Sequence, residues 1–227
     1  MKKRCGLAVV LAGWLLASQV SAADRLDDVL AHMDAVAANF KGVSAQVSFT
    51  QVTVVVDDKS TQSGGFYLQR DKRGGYKILI EFREPDEKNI LFKDNKAQIY
   101  KPKIAQVEEY DVGKEYKDLL NQYLMVGFGG RIDEMKRGYT ITLGGDAKIL
   151  GVNSVKLILK PKDTANKRQV ELWISQDNWL PVQQRSTDLV SKDYLEIAYS
   201  NVQPGDPGDK RFDLHIKGKV TWVHPGK

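Results

Sequence analysis

The apolar residues change period twice along the chain, and those changes set out the elements. Leu26, Val29, Leu30, Met33, Val36, Ala37 and Phe40 recur at three- and four-residue spacing, which places them on one face of a helix. Asp24 can cap this helix and Gly42 can end it. Arg25, Asp28, His32, Asn39 and Lys41 occupy the opposite, solvated face, so the helix is expected to cover something apolar.

From Val43 onward the period is two, the signature of strands. Ala45, Val47 and Phe49 alternate, and a shift of phase to Val52, Val54 and Val56 predicts a bulge near Thr50-Gln51. Tyr76, Ile78, Ile80 and Phe82 alternate most cleanly, with Lys77, Glu81 and Arg83 on the other face. Further strands are expected around 90–92, 97–100, 107–110, 139–143, 155–159, 170–174, 181–185, 194–199 and 212–216. Turns are expected at Asp57-Asp58-Lys59, Gly74-Gly75, Asp94-Asn95, Gly144-Gly145 and Asp177-Asn178.

About a dozen strands in series joined by short turns favour an antiparallel meander. A sheet of that width must curl or close to bury its apolar face. Between Gly113 and Gly138 the period returns to helical, with Leu119, Leu120, Tyr123 and Leu124 on one stripe and Ile132 with Met135 on a second short piece, separated by Gly127-Phe128-Gly129-Gly130. These helices and the first one have only the apolar side of the sheet on which to bury themselves. The expected fold is therefore α+β, mainly β: an incomplete antiparallel β-barrel with a lid of about three helices over an apolar cavity.

The N-terminus is a different kind of segment. Lys2, Lys3 and Arg4 precede an apolar run from Cys5 to Ala17, and Val20-Ser21-Ala22 supplies small residues after it. That is the layout of a secretory signal peptide over residues 1–22, cleaved after Ala22 or Ala23, and the apolar run is too short to span a bilayer. Residues 23–227 then form a single exported domain. The signal carries three of the 34 basic residues, leaving 31 against 29 acidic ones, so the formal charge falls from +5 to +2. Nothing in that balance calls for nucleic acid. The only cysteine, Cys5, leaves with the signal, which removes disulfide formation and N-terminal lipidation.

Catalytic constellations are missing from the local sequence. His32, His215 and His224 are widely separated, no pair has metal-ligand spacing, and 127–130 lacks the lysine and hydroxyl of a phosphate loop. The expectation is a non-enzyme with neither cofactor nor metal, whose site is the cavity itself. Its lining is assigned to Leu30, Met33 and Phe40 of the first helix, to Phe49, Phe66, Leu68, Ile78, Ile80, Phe82 and Phe92 of the sheet, and to Leu120 and Leu124 of the inserted helix. Gly127, Gly129 and Gly130 are candidate hinge residues.

Several collinear stretches resemble the LolA-type outer-membrane lipoprotein carriers and their lipoprotein-sorting relatives over essentially the whole exported chain. Gly64 with Phe66-Tyr67-Leu68 and Arg70 has the family's glycine, apolar strand and arginine. Pro85-Asp86-Glu87, Ile90-Leu91-Phe92, Asp94-Asn95-Lys96, Ile99-Tyr100, Pro102 and Gln106-Val107 follow its next hairpin. Gly151, Val155, Leu157, Leu159, Pro161, Glu171-Leu172-Trp173-Ile174, Leu180-Pro181, Tyr199-Ser200-Asn201 and Phe212 resemble its C-terminal half. Arg70 departs from the pattern in preceding Asp71 where the family has proline.

The resemblance implies an incomplete barrel with a helical lid, and a monomeric periplasmic carrier whose cavity accepts lipoprotein acyl chains. It implies an inner-membrane ABC transporter as donor and an outer-membrane lipoprotein receptor as acceptor. It also implies that Arg70 hydrogen-bonds the lid shut. Carriage of another lipid or glycolipid, and periplasmic sensing of lipid or lipoprotein by a regulator, are the alternatives.

Overall fold

In a computed structural model of the protein, the described residues are 22–71, 75–113, 127–163 and 165–225. Residues 1–21 of the expected signal peptide, and Leu120 and Leu124 of the expected inserted helix, lie outside them. Helix α1 (Ala22–Ala38) opens the chain, and β1 (Gly42–Thr53), β2 (Asp58–Arg70), β3 (Tyr76–Glu84), β4 (Lys88–Lys93), β5 (Lys96–Lys101) and β6 (Gln106–Asp111) follow in series. Helix α2 (Ile132–Gly138) leads into β7 (Tyr139–Ile149), β8 (Val152–Pro161), β9 (Arg168–Ser175), β10 (Pro181–Asp188) and β11 (Tyr194–Pro204), and a short β12 (Thr221–Val223) ends the chain.

All twelve strands form one open sheet in the order β12-β6-β5-β4-β3-β2-β1-β11-β10-β9-β8-β7. Two meanders, β1 to β6 and β7 to β11, meet where β1 pairs antiparallel with β11, from Val43 opposite Pro204 to Val52 opposite Tyr194. Every neighbouring pair is antiparallel except β12 with β6, which is parallel. The result is a mainly β fold with two α-helices among the described residues.

The two faces of this sheet are covered differently. On the inner face, Val29, Leu30 and Met33 of α1 and Ile132 and Met135 of α2 pack on Val155, Leu157 and Leu159 of β8 and Val170, Leu172 and Ile174 of β9. A second inner cluster joins Phe40 and Phe128 to Val43, Val47, Phe66, Leu68, Ile80, Phe82, Ile197 and Tyr199. On the outer face, Phe212 and Leu214 cover Leu79, Leu91, Tyr100 and Val107. Arg211 stacks on the Tyr67 ring at 3.7 Å and pairs with Glu81, holding the same segment down.

Four sequence expectations change here. Val54–Val56 form a 3-10 turn rather than a continued strand, because Asp57 takes a left-handed conformation (φ 49°) and reverses the chain. The bulge expected at Thr50-Gln51 is absent, since β1 and β2 pair without a break from Gly42 to Thr53; the register instead shifts between Ser44 and Gln46 against β11 and between Ser63 and Gly64 against β3. Gly144-Gly145 is not a turn but a bulge inside β7, with Gly145 at φ 91°, and the hairpin turns at Leu150-Gly151 (φ 48° and 85°). The 212–216 stretch is not a strand: its apolar side chains dock flat on the outer face while its backbone pairs with no strand, and His215 sits at φ 48°.

Candidate functional site

Strand β2 ends at Arg70 beside the C-terminal turn of α1, and its backbone N–H donates to Lys41 O at 2.8 Å. This fixes the base of a long side chain whose planar, multi-donor head can reach several carbonyls at once. Nη1 donates to Ala37 O in the last turn of α1 at 3.3 Å, and Nη2 donates to Gly129 O at 2.5 Å and to the Tyr76 hydroxyl at 3.2 Å. The Tyr76 hydroxyl in turn donates to Gly129 O at 3.1 Å. One guanidinium therefore joins α1, the start of β3 and the segment 127–130.

That segment is held by a second device. Phe128 is fully buried, with its ring 5.0 Å from Tyr199 in an edge-on contact and 5.8 Å from Phe66. The glycines flanking it have left-handed backbones, φ 85° at Gly127 and 68° at Gly129, which glycine adopts without the Cβ penalty. A Cβ on Gly129 would lie 2.5 Å from the Phe40 ring, and one on Gly127 would lie 2.7 Å from Pro181 Cγ. Gly127 and Gly129 thus combine an unusual backbone with close packing, whereas Gly130 is partly exposed and its φ is not positive.

The residues expected to line a cavity lie on the inner face and divide between its two clusters. Leu30 and Met33 belong to the α1–β8–β9 cluster. Phe40, Phe66, Leu68, Ile78, Ile80, Phe82 and Phe92 belong to the other, with Phe49 partly buried at its margin, 5.2 Å edge-on from Phe82. Leu120 and Leu124 fall outside the described residues.

Sequence reasoning missed Phe128, whose glycine neighbours made the segment read as a linker. It missed Trp179 as well. His32, assigned to the solvated face of the helix, stacks on the Trp179 ring at 4.3 Å and ties α1 to the β9–β10 turn. Asp34 is another such tie, accepting from the Ile132 N–H at 3.4 Å where α2 begins. Only a spacing signal was available for these residues, and a contact between distant elements leaves none.

The outer face is chemically different. A cleft of about 580 Å³ between the β4–β5 hairpin and the 209–215 segment is lined by Lys93, Asp94, Lys96, Asp209, Lys210 and Asp213 together with Leu91 and Phe212, a wall in which charged groups sit beside the apolar ones. Among the described residues no cluster of three or more His, Cys, Asp or Glu could hold a metal ion, and no helix is long and apolar enough to cross a membrane.

An open, almost wholly antiparallel sheet with helices on one apolar face and an arginine clasp at the end of a central strand defines a class of helix-covered β-sheet folds. The chain belongs to the LolA family: the model for outer membrane lipoprotein carrier protein LolA matches residues 40–215. Among solved structures it is similar to MucB at 14% identity and a TM-score of 0.57, covering 86% of this chain and 64% of that one. It is similar too to MucB in the Pseudomonas aeruginosa MucA/MucB complex, at 14% identity and a TM-score of 0.52 over 86% of this chain and 64% of that one. An uncharacterized conserved protein from Thermus thermophilus shares 11% identity and a TM-score of 0.55 over 88% of this chain and 99% of that one. No curated protein matches the sequence.

Proposed function

We propose that this protein is a periplasmic carrier that takes the acyl chains of lipoproteins onto its inner face and moves them from the inner to the outer membrane. Family membership supports a carrier role. The observation that carries the reading is the clasp: one arginine and one phenylalanine hold segment 127–130 over the largest apolar cluster of the sheet.

Magnitudes favour a cover that opens. Burying Phe128 and making the Arg70 bonds together contribute about 5 kcal/mol. A guest chain would offset that loss with roughly six methylenes at about 0.8 kcal/mol each. In opening, the guest replaces Phe128 against Phe66 and Tyr199. Gly127 and Gly129, with Gly130 beside them, are the hinge in this scheme, and Arg70 is the lock.

The opposing constraint comes from the membrane. Three acyl chains of roughly fifteen methylenes hold a lipoprotein in a bilayer by on the order of 35 kcal/mol. Extraction therefore requires an energised donor, and release requires an acceptor with a better site. An inner-membrane ABC transporter and an outer-membrane lipoprotein receptor fill those roles. Cleavage of residues 1–22 would leave α1 at the start of the exported chain as a single domain, a monomer with no catalytic role.

The test is depletion followed by membrane fractionation. Lipoproteins stalled in the inner membrane support carriage; normal sorting overturns it. The second reading is a periplasmic regulator that senses lipid or lipoprotein; MucB, solved in complex with MucA, has this fold, so the fold can accommodate a protein partner. This second reading predicts unaltered sorting together with a changed envelope transcriptional response. A carrier of another lipid or glycolipid would instead co-purify with that lipid from the periplasm, as mass spectrometry would show.

A further inference from the structure

The inner face is not uniformly apolar. Along β10, Gln183 and Arg185 turn outward to bond Glu196 at 3.1 and 2.9 Å. The alternate residues Gln184 and Ser186 therefore turn inward and are 4% and 5% exposed. Gln184 is opposite Ile197 and Leu172 in the ladders, and Ser186 is opposite Leu195 and Val170, so their in-plane neighbours on this face are aliphatic.

Tyr199 lies on the same face of β11, 1% exposed, between Phe66 at 5.5 Å and Phe128 at 5.0 Å. Among the described residues, neither the Tyr199 hydroxyl nor Ser186 Oγ has a hydrogen-bond partner. The register places Ser186 opposite Leu195, four residues from Tyr199, so the backbone positions of the two residues lie about 13 Å apart along the strands, with Gln184 between them.

Buried polar groups are ordinarily bonded, and an unbonded one weakens the fold that contains it. Phenylalanine and alanine would fill the same space without that penalty. A hydrocarbon guest would leave both hydroxyls as they are. An ester or amide carbonyl, which accepts and does not donate, would satisfy them. Burial pushes the Tyr199 phenol well above its ordinary range, so it stays protonated and able to donate.

We propose that Tyr199 and Ser186 form a hydrogen-bonding track on the inner face that receives the ester or amide carbonyls joining acyl chains to an amphiphile. The inference rests on the carrier reading and adds that the site recognises the linkage as well as the tail.

The experiment uses the full exported chain and the apolar dye N-phenylnaphthylamine, displaced by a diacylglycerol or by its dialkyl-ether analogue of equal chain length. The wild-type protein is expected to prefer the ester. Tyr199→Phe and Ser186→Ala are each expected to lower the ratio of ester to ether affinity about 5-fold. Without ligand, each variant should melt at or above the wild-type temperature, because an unbonded hydroxyl has been removed. Retention of the full ester preference by both variants overturns the proposal. So does a fall of several degrees in both melting temperatures, which would mean that the hydroxyls already had partners such as ordered water. Failure of the wild type to bind dye or either lipid overturns the carrier reading itself, and the track with it.

Discussion

Arg70 and Gly129 stand 59 positions apart in the chain, and a single hydrogen bond of 2.5 Å from the arginine Nη2 to the glycine carbonyl joins them. Tyr76 doubles the link by donating to the same oxygen. Arg70→Met keeps the aliphatic stem and removes the donors. It is expected to lower stability by about 1–3 kcal/mol and to raise amide hydrogen exchange at 127–130 well above that of β2 and β3. Unchanged exchange in the variant would show that Phe128 alone holds the segment.

Gly129→Ala adds a methyl 2.5 Å from the Phe40 ring at a backbone φ of 68°. Steric displacement and backbone strain act in the same direction, so the expected loss is about 2–4 kcal/mol, measured by chemical denaturation.

Phe128→Ala empties the space between Phe66 and Tyr199. A fully buried phenylalanine truncated in this way costs about 3–5 kcal/mol. If an acyl chain replaces Phe128 on loading, a fatty acid should recover more melting temperature in the variant than in the wild type. Equal recovery would place the guest elsewhere.

Glu109 and Glu108 titrate below the ordinary carboxylate range, the first because Lys96 and then Gln98 hydrogen-bond it, the second chiefly because Lys101 does. Their native values lie below their unfolded ones, so the stability they contribute is present above the unfolded pKa and is lost as pH falls through the native one. Both pairs face solvent in part, which keeps the effect small. Denaturation midpoints should fall as pH drops below about 4, and Glu109→Gln should flatten part of that slope.

Strand β12 covers the β6 edge through only three residues, Thr221 to Val223. Truncation after Gly218 exposes that edge, and unpaired edges recruit other chains. Light scattering should detect concentration-dependent self-association in the truncated protein and less of it in the full chain.

Where local periodicity and tertiary role coincide, the sequence was legible. The alternation of Ile78, Ile80 and Phe82 against Glu81 and Arg83 gives β3 and its buried face directly, and the α1 stripe gives the helix and the side it buries. Legibility failed where alternation served another purpose. Phe212 and Leu214 alternate because an extended segment docks on a surface, and that looks in sequence like a strand that pairs. Val54 to Val56 are strand-like in composition but exposed, because the turn expected at Asp57-Asp58-Lys59 already begins at Val54. Phe128 was hidden by its glycines and β12 by its distant parallel partner, since neither relationship lies within one sequence window. Arg70 was found through the family pattern; its acceptors, the carbonyls of Ala37 and Gly129, are backbone atoms and have no sequence signature.

The final segment of the chain covers the outer surface of β3 to β6, while the inner side chains of β3 to β5 belong to the same buried cluster as Phe40 and Phe128. That half of the sheet is therefore a three-layer laminate, whereas among the described residues β8 and β9 carry a helical layer on their inner side and, on the other, only the Trp173 ring with the Lys156 and Arg185 cations over it. Bending stiffness rises steeply with thickness. If the proposed carriage holds, the swelling a bulky passenger imposes would be taken up in the thinner wing, with the laminated one as the frame against which it flexes.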